Sequence, residues 1–385
     1  MRNLTKLKTD LDVVYSGNIV DYLDVDYVYI PMKKNYKTLV KNNEIVNKGE
    51  ILLEDNLNKI VSPVSGKVIG MTTLNIDGNL GNAIVIENSF KEEEKKSRKY
   101  KDNKFDRDAI ISKLYEFYFK YIASVLETKK INNLIISGFD DEPYIQNNAY
   151  VLKKYHKEIL EMADILATSF SIKRTSIVIK SNNAENIETF LARIGTYPNI
   201  FLELIEDRYL LGKPFFLLEY LNLKEMDSFV IDAKTMYEIY NALKYNKTTY
   251  ETFITVAGPS LAKSMVLKVK VGTIFKDIID NKIKIINKKP NLFILDGLMT
   301  GKPCQIEKTI VTKNTLGLIV IPDEEVKESK CINCGMCYKI CPVKVNPKRV
   351  MDTKIKSHNC INCGLCSYIC PCNINLRRYL EDNHE

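Results

Sequence analysis

Histidine is scarce in this chain, with three residues among 385, and no pattern resembles a Ser/His/Asp triad, a phosphate-binding P-loop or a pair of catalytic carboxylates. The sequence therefore gives no support to His-based catalysis. No run of 18 apolar residues occurs, so no transmembrane helix is expected. The first residues lead into no apolar signal segment, which favours a cytoplasmic protein.

Cysteine is unevenly distributed, because eight of the ten cysteines lie between positions 331 and 370. They form two copies of the pattern C-x2-C-x2-C-x3-C-P, the first at 331–342 and the second at 360–371. Thiolates are soft ligands, and several at such short spacing can wrap one metal cluster. The repeat therefore predicts two iron–sulfur clusters in a reducing compartment, with anaerobic metabolism as the expected setting.

The spacing resembles that of bacterial two-cluster ferredoxins, in which the fourth cysteine of each motif binds the other cluster. The resemblance implies two [4Fe–4S] clusters in a small pseudo-twofold unit that its metal bonds largely hold together. The implied ligands are Cys331, Cys334, Cys337 and Cys370 for one cluster, and Cys360, Cys363, Cys366 and Cys341 for the other.

Zinc and disulfides explain the cysteines less well. A zinc site would use two C-x-x-C pairs or Cys/His sets rather than a third close cysteine and a Cys-Pro, repeated twice. A disulfide framework would fit a secreted protein, which the sequence does not indicate. The two remaining cysteines, Cys304 and Cys372, are interpreted as packed thiols, with a redox-active Cys304 as the alternative.

The net charge of +8 is concentrated near the C-terminus. A basic collar there would steer an acidic redox partner or lie against anionic lipid, and nucleic acid is the least favoured partner. Compensation for the negative charge of the clusters is an equally good explanation. The residues are Lys339, Lys344, Lys348, Arg349, Lys354, Lys356, Arg377 and Arg378.

Upstream of the cysteines, the chain predicts a multidomain α/β plus β protein. Residues 1–88 carry short strands and resemble a barrel-sandwich hybrid, and 89–108 form a charged linker. Alternating helix and strand signals over 109–249 predict a Rossmann-like parallel α/β domain. Residues 250–325 resemble a β-grasp module of the SLBB kind with return strands, and 326–385 form the two-cluster domain.

This order of domains resembles the C subunit of the Rnf electron transport complex, a family that includes the electron-transfer protein associated with proline reductase. The stretches that match are Tyr29-Ile-Pro-Met-Lys33, Ser62-Pro-Val-Ser-Gly66, Glu142-Pro143-Tyr144, Thr255-Val-Ala-Gly258 and Asp296-Gly297-Leu-Met-Thr-Gly301. The resemblance implies oxidation of NADH at FMN, with electrons leaving through the clusters. It also implies a protein redox partner, namely a reductase, a flavoprotein or Rnf-type subunits, and association with the cytoplasmic face of a membrane.

The flavin site departs from the family pattern. The family cradles the flavin phosphate in a glycine-rich loop, but no glycine occurs here between Gly81 and Gly138. A motif Asn-Gly-x-Glu-Cys-Glu-Pro-Tyr appears as Ser137-Gly-Phe-Asp-Asp-Glu-Pro-Tyr144. Either Asp140 and Glu142 still bind a nucleotide, or the pocket has been lost. We favour loss of FMN and NADH binding, with the aromatic residues from Tyr115 to Tyr121 filling the core.

The favoured function is an iron–sulfur protein that relays electrons through two [4Fe–4S] clusters to or from a partner oxidoreductase. One alternative is an NADH-oxidising, FMN-dependent subunit of an Rnf-type complex. The other is an assembly module in which the clusters are structural and carry no electrons.

Overall fold

The computed structural model describes residues 4–7, 15–32, 35–55, 59–91, 105–355 and 357–381. Most of the predicted charged linker, and Lys356 of the basic collar, lie outside these residues. Within them, mixed α/β structure is built on four β-sheets. No helix in the described ranges is both long and apolar enough to cross a membrane.

The N-terminal region consists of strands. Strands β2 to β8 form two small antiparallel sheets, in the orders β2-β8-β7-β4 and β3-β5-β6. The long β7–β8 hairpin closes through Asp77-Gly78, where both residues have positive φ, as a two-residue hairpin turn requires. The bounds are β1 (Tyr15–Tyr22), β2 (Tyr27–Pro31), β3 (Lys37–Thr38), β4 (Ile45–Val46), β5 (Ile51–Glu54), β6 (Lys59–Val61), β7 (Gly66–Ile76) and β8 (Asn79–Asn88).

Residues 105–245 form the α/β region. Its bounds are α1 (Arg107–Glu116), α2 (Lys120–Thr128), β9 (Asn133–Ser137), α3 (Asn147–Lys154), α4 (His156–Ser169), β10 (Arg174–Lys180), α5 (Ala184–Ile194), β11 (Ile200–Ile205), α6 (Pro214–Tyr220), β12 (Ser228–Asp232) and α7 (Ala233–Tyr245). The four strands pair in the order β11-β10-β9-β12, and every pair is parallel.

The alternation of helix and strand predicted for this region is confirmed. Aliphatic residues fill the strands because both faces of a parallel sheet are covered, and Leu134, Ile136 and Ile177 are fully buried. The sequence predicts single helices near 109–127 and 148–168, and the structure divides each in two, the first at Phe117–Phe119 and the second at Tyr155. The short helix α6 was not expected.

The aromatic stretch in α1 and α2 differs from the prediction. Tyr115, Tyr118 and Tyr121 are exposed, with 74% of the Tyr121 surface accessible, whereas Phe119 packs against the core. The prediction of core filling is therefore wrong for these three tyrosines. The cause is the division of the helix, because Tyr118 adopts a φ of 66° between the two halves and the register of the buried face changes.

The next region adds a six-stranded mixed sheet. Its elements are β13 (Glu251–Ala257), β14 (Ser264–Lys270), α8 (Phe275–Lys282), β15 (Asn291–Leu295), β16 (Lys302–Pro303) and β17 (Gly317–Pro322). The strand order is β1-β14-β13-β17-β15-β16, so β1 joins this sheet rather than those of β2 to β8. The strand predicted at 309–311 is present only as isolated bridges to Asn75 and Ile274.

Residues after β17 fold into short helices without an assigned strand among those described. They are α9 (Met336–Ile340), α10 (Pro347–Thr353), α11 (Leu365–Tyr368) and α12 (Leu376–Glu381). A small apolar cluster joins them, and it includes Val345, Val350, Ile374, Leu376 and Leu380 together with several cysteines. So small a core predicts dependence on bound metal.

A substitution at Gly317 tests the close approach of β13 and β17. A Cβ atom there would stand 2.0 Å from the carbonyl oxygen of Thr255, its partner in the pairing. We expect Gly317→Ala to lower the thermal unfolding midpoint by several degrees, since crowding a packed position costs about 1–3 kcal/mol. Gly195→Ala is the control, because Gly195 has helical geometry and open space around its Cα. Equal midpoints for the two variants would contradict the strand contact.

Candidate iron–sulfur centres and the loops that hold them

Two cavities lie between the cysteine motifs. The outer cavity is lined by Cys331, Cys334, Cys337 and Cys370, with Cys372 also at its wall. The inner cavity is lined by Cys341, Cys360, Cys363 and Cys366. Each cavity thus receives three cysteines of one motif and the fourth cysteine of the other.

The donors around each cavity fit a [4Fe–4S] cluster, which needs four thiolates in a mostly apolar setting. All ten cysteines are free of disulfide bonds. Among the described residues, no three His, Cys, Asp or Glu side chains converge closely enough to hold a single metal ion. Thiols that each bind a different iron atom stand farther apart than the ligands of one zinc ion, and here they surround a larger space.

The backbone of the two motifs repeats at a spacing of 29 residues. Asn333 and Asn362, in the tight loops between cysteines, both have a φ of 55°. Gly335 and Gly364 precede α9 and α11 with φ values of 70° and 78°. Left-handed geometry favours glycine and is tolerated by asparagine, so the paired Asn-Cys-Gly sequences specify these loops.

The two cavities differ in exposure. Cys334 of the outer cavity is exposed, and its other three cysteines are partly exposed. Cys363 and Cys366 of the inner cavity are buried, and burial raises the pKa of these thiols to about 11 and about 12. Iron that binds there must displace protons from buried thiols, as metal binding to cysteine generally does.

The inner cavity is held against the α/β region. The Tyr209 hydroxyl donates a hydrogen bond of 2.7 Å to the carbonyl of Cys363. Burial raises the pKa of Tyr209, so its hydroxyl keeps the proton that it donates. Tyr209, Met299, Cys363 and Leu365 belong to one buried apolar cluster. The inner cavity therefore lies beside the α/β region, through contacts of Cys363 and Leu365.

The turn at 297–301 lies between two charged side chains. The Arg377 guanidinium donates to the carbonyl groups of Met299, Thr300 and Gly301. On the other side, the Glu142 carboxylate accepts from the backbone N–H of Met299 at 2.8 Å and from the Thr300 hydroxyl. One turn therefore links the α/β region to the cluster-binding region.

The two carboxylates proposed for nucleotide binding thus have different protein partners. Glu142 holds the turn, whereas Asp140 accepts from the backbone N–H groups of Asn148 and Ala149 at the start of α3. Asp140 also lines an open pocket beyond the carboxyl ends of β9 and β10. Burial raises the pKa of Asp140 to about 6 and raises that of Glu142, and the hydrogen bonds oppose this effect.

The sequence analysis did not predict three contacts of the site, which are made by Tyr209, Arg377 and Gly364. Tyr209 lies in a loop with no motif, and Arg377 was interpreted only as part of a basic collar. The repeated Cys-Gly pair marks Gly364 as a turn residue, but its partner Met299 is distant in sequence.

Family comparisons cover two parts of the chain. A Nuo51 FMN-binding domain model matches residues 115–249, and a 4Fe-4S dicluster domain model matches 324–371. The chain is 26% identical to the C subunit of an ion-translocating oxidoreductase complex from Rhodobacter capsulatus, over 56% of this chain and 44% of that protein.

Two further relatives are the C subunits of ferredoxin:NAD(+) oxidoreductase complexes. The sodium-translocating one of Acetobacterium woodii is 23% identical, over 58% of this chain and 53% of that protein. The proton-translocating one of Clostridium ljungdahlii is 23% identical, over 84% of this chain and 77% of that protein. The chain is an RnfC-like protein.

The predicted resemblance to the Rnf family is therefore confirmed, and the dicluster match supports the [4Fe–4S] clusters of the RnfC-like chain. The chain spans about half the length of the Rhodobacter and Acetobacterium relatives. Its match to the FMN-binding model covers a region where α1 and α2 occupy the place expected for a glycine-rich loop.

Gly364 and Gly335 provide a matched test of the inner contact. Both have left-handed geometry, so alanine at either position costs about 1–2 kcal/mol. Only at Gly364 would the added Cβ meet another group, the Met299 carbonyl oxygen at 2.3 Å. We expect Gly364→Ala to release iron to a chelator faster than Gly335→Ala. Equal release rates would show that the packing against Met299 does not protect the inner cavity.

Asp140 gives a prediction on pH. Its pKa is about 6 in the folded chain against an ordinary value of 3.8, so the folded state holds the proton more tightly. Protonation of Asp140 contributes fully to the free energy of unfolding below pH 3.8, and this contribution is lost as the pH rises through 6. From pH 5 to 7.5, wild type should lose about 1 kcal/mol relative to Asp140→Asn. If the free energies of unfolding of wild type and Asp140→Asn, measured by denaturant titration, changed with pH in the same way, the raised pKa of Asp140 would be contradicted.

Proposed function

We propose that this chain relays single electrons through two [4Fe–4S] clusters within an oxidoreductase complex. The observation that carries the proposal is the pair of cavities, each lined by three cysteines of one motif and one of the other. A [4Fe–4S] cluster accepts and releases one electron at a time at a potential that its surroundings set. The donor and the acceptor are one-electron redox proteins of the complex.

The proposed ligands are the eight cysteines of the two cavities. Their walls exclude water through apolar side chains such as Val343, Val345 and Leu365. The backbone N–H of Val345 lies 3.3 Å from the Cys341 sulfur, and that of Asn362 lies 3.4 Å from the Cys360 sulfur. Hydrogen bonds to ligand sulfurs stabilise added negative charge and so shift the reduction potential.

The architecture proposed around these centres has four parts. Residues 27–88 support a barrel-sandwich hybrid, because two small antiparallel sheets share one core. The parallel sheet of 109–249 supports a Rossmann-like domain, and 250–325 a β-grasp module. Residues 326–385 are the two-cluster domain, and peripheral attachment to membrane subunits is part of the same proposal.

A second candidate is an NADH-oxidising subunit that binds FMN, and the family match at 115–249 favours it. Against it, Asp140, Asp141 and Glu142 all accept hydrogen bonds from backbone N–H groups of the protein. Backbone N–H groups are what a flavin phosphate needs. We therefore propose that neither FMN nor NADH binds.

Metal and flavin analysis of anaerobically prepared protein tests the proposal. We expect about eight iron and eight sulfide per chain, reducible by dithionite, and no FMN. Cys363→Ser and Cys331→Ser should each lose about half of the iron, because one cavity loses a ligand. Cys304→Ser is the control, since Cys304 packs against a core distant in sequence from both motifs.

Three results would contradict the proposal in different ways. Zinc in place of iron would show that the chain holds no iron–sulfur clusters. Stoichiometric FMN would favour the NADH-oxidising subunit. Iron that dithionite cannot reduce would assign the clusters a purely structural role.

A further inference from the structure

The outer cavity is surrounded by a surface whose composition fits a protein partner. All ten cysteines lie within the described residues, and among them only Cys334 is exposed, while Cys363 of the inner cavity is buried and packs with Tyr209 and Met299. Electron transfer requires the two cofactors to come close together, so the exposed cavity is the one that a separate protein can approach.

Apolar side chains lie at the centre of this surface. Ile332 and Met336 both line the outer cavity, and 65% and 39% of their surfaces are exposed. Protein interfaces commonly place aromatic residues and methionine at an apolar centre and charged residues at the rim.

Basic residues frame this centre. Lys330 adjoins Cys331, Lys339 lies in α9, and Lys348 lines the outer cavity. Residues 330–355 contain six Lys and Arg residues but one acidic residue, Asp352, which pairs with Lys348. The rim is therefore positive and has little acidic charge of its own.

The basic residues exceed what the clusters themselves neutralise. The described residues of 326–381 carry nine basic side chains and three acidic side chains, one of which, Glu328, pairs with Arg378. An oxidised [4Fe–4S] centre with four thiolates contributes about −2, and two centres about −4. The surplus remains positive, so compensation of the clusters does not account for all of the basic charge.

We propose that this surface, comprising Lys330, Ile332, Met336, Lys339 and Lys348, docks an acidic one-electron redox protein. The proposal rests on the proposed relay of electrons. One electron passes between the iron held in the outer cavity and the cofactor of the partner, with no bond made and no proton moved. An anionic membrane is the less favoured occupant, because a lipid offers no electron acceptor beside the exposed thiols.

Cytochrome c in two charge forms is the probe. Native cytochrome c is basic, and succinylation of its lysines makes it acidic without replacing its haem. At about 20 mM salt, dithionite-reduced protein should reduce the succinylated form at least tenfold faster, because attraction between opposite charges raises association rates. The difference should shrink at about 0.5 M salt, where charges are screened.

Charge-reversal variants locate the surface. K330E/K339E should slow reduction of succinylated cytochrome c about tenfold at low salt and weaken its binding in the oxidised state to the same degree. K130E/K173E is the matched control. Lys130 and Lys173 are exposed and precede β9 and β10, at the edge of the parallel sheet opposite to Glu142 and Tyr209. Iron content must equal that of wild type in both variants.

The apolar centre has its own test. Ile332→Ser should weaken binding of succinylated cytochrome c severalfold at high salt, where the basic frame contributes little. Because Ile332 also lines the outer cavity, binding is compared between wild-type and variant samples of equal iron content.

Several results would overturn the docking surface. These are equal rates with the two forms of cytochrome c, no effect of K330E/K339E, or an equal loss in K130E/K173E. Binding to phosphatidylglycerol vesicles that K330E/K339E abolishes, with unchanged cytochrome c binding, would assign the surface to lipid. Wild type that binds the succinylated form but reduces neither form would contradict the electron relay and retain the docking surface.

Discussion

Each four-thiol cavity takes three side chains from one cysteine motif and the fourth from the other, and the rest of the cluster-binding region depends on this exchange. Neither motif can complete a cavity alone. The apolar residues that join the short helices are few, so burial provides limited stability there. Binding of iron by eight thiols across two motifs would supply what the core lacks, and loss of one centre should loosen the other.

The contact of this region with the body of the protein depends on backbone groups rather than on a large apolar interface. In the turn at 297–301, the backbone N–H of Met299 donates a hydrogen bond to Glu142. The carbonyl groups of the same turn accept hydrogen bonds from Arg377. Hydrogen bonds to charged groups contribute about 1.5–3 kcal/mol each. Gly301 permits this close packing, because a Cβ there would stand 2.1 Å from two carbonyl oxygens.

The sequence predicted the regular parts of the molecule well. Strands such as Asn133–Ser137 and Ile200–Ile205 were predicted within their bounds, because a parallel sheet requires uninterrupted aliphatic runs. The resemblance to two-cluster ferredoxins implied the same two sets of cysteines that line the two cavities. The division of the first helix at Phe117–Phe119 was missed, since no Gly or Pro marks it. The placement of β1 beside β14 was missed because pairing between segments distant in sequence leaves no local signal.

The side chains that determine the docking of the inner cavity were equally hidden. Tyr209 and Arg377 act on carbonyl groups, and any residue type can supply a carbonyl, so no complementary pattern appears in the sequence. Glu142 was singled out by a family motif that suggested a nucleotide, whereas its partners are Met299 and Thr300. A motif identifies a position in the fold more reliably than it identifies what that position binds.

Three consecutive acidic residues after β9 explain how an FMN-type domain could persist without its flavin. Asp140 occupies N–H groups at the start of α3, Asp141 accepts from Gly212, and Glu142 accepts from Met299. These carboxylates supply from within the chain the negative charge that a phosphate would bring. A dianionic phosphate placed beside them would meet repulsion and occupied donors, at a cost of several kcal/mol. Of these three residues, Glu142 also ties the α/β region to the turn at 297–301, through Met299 and Thr300.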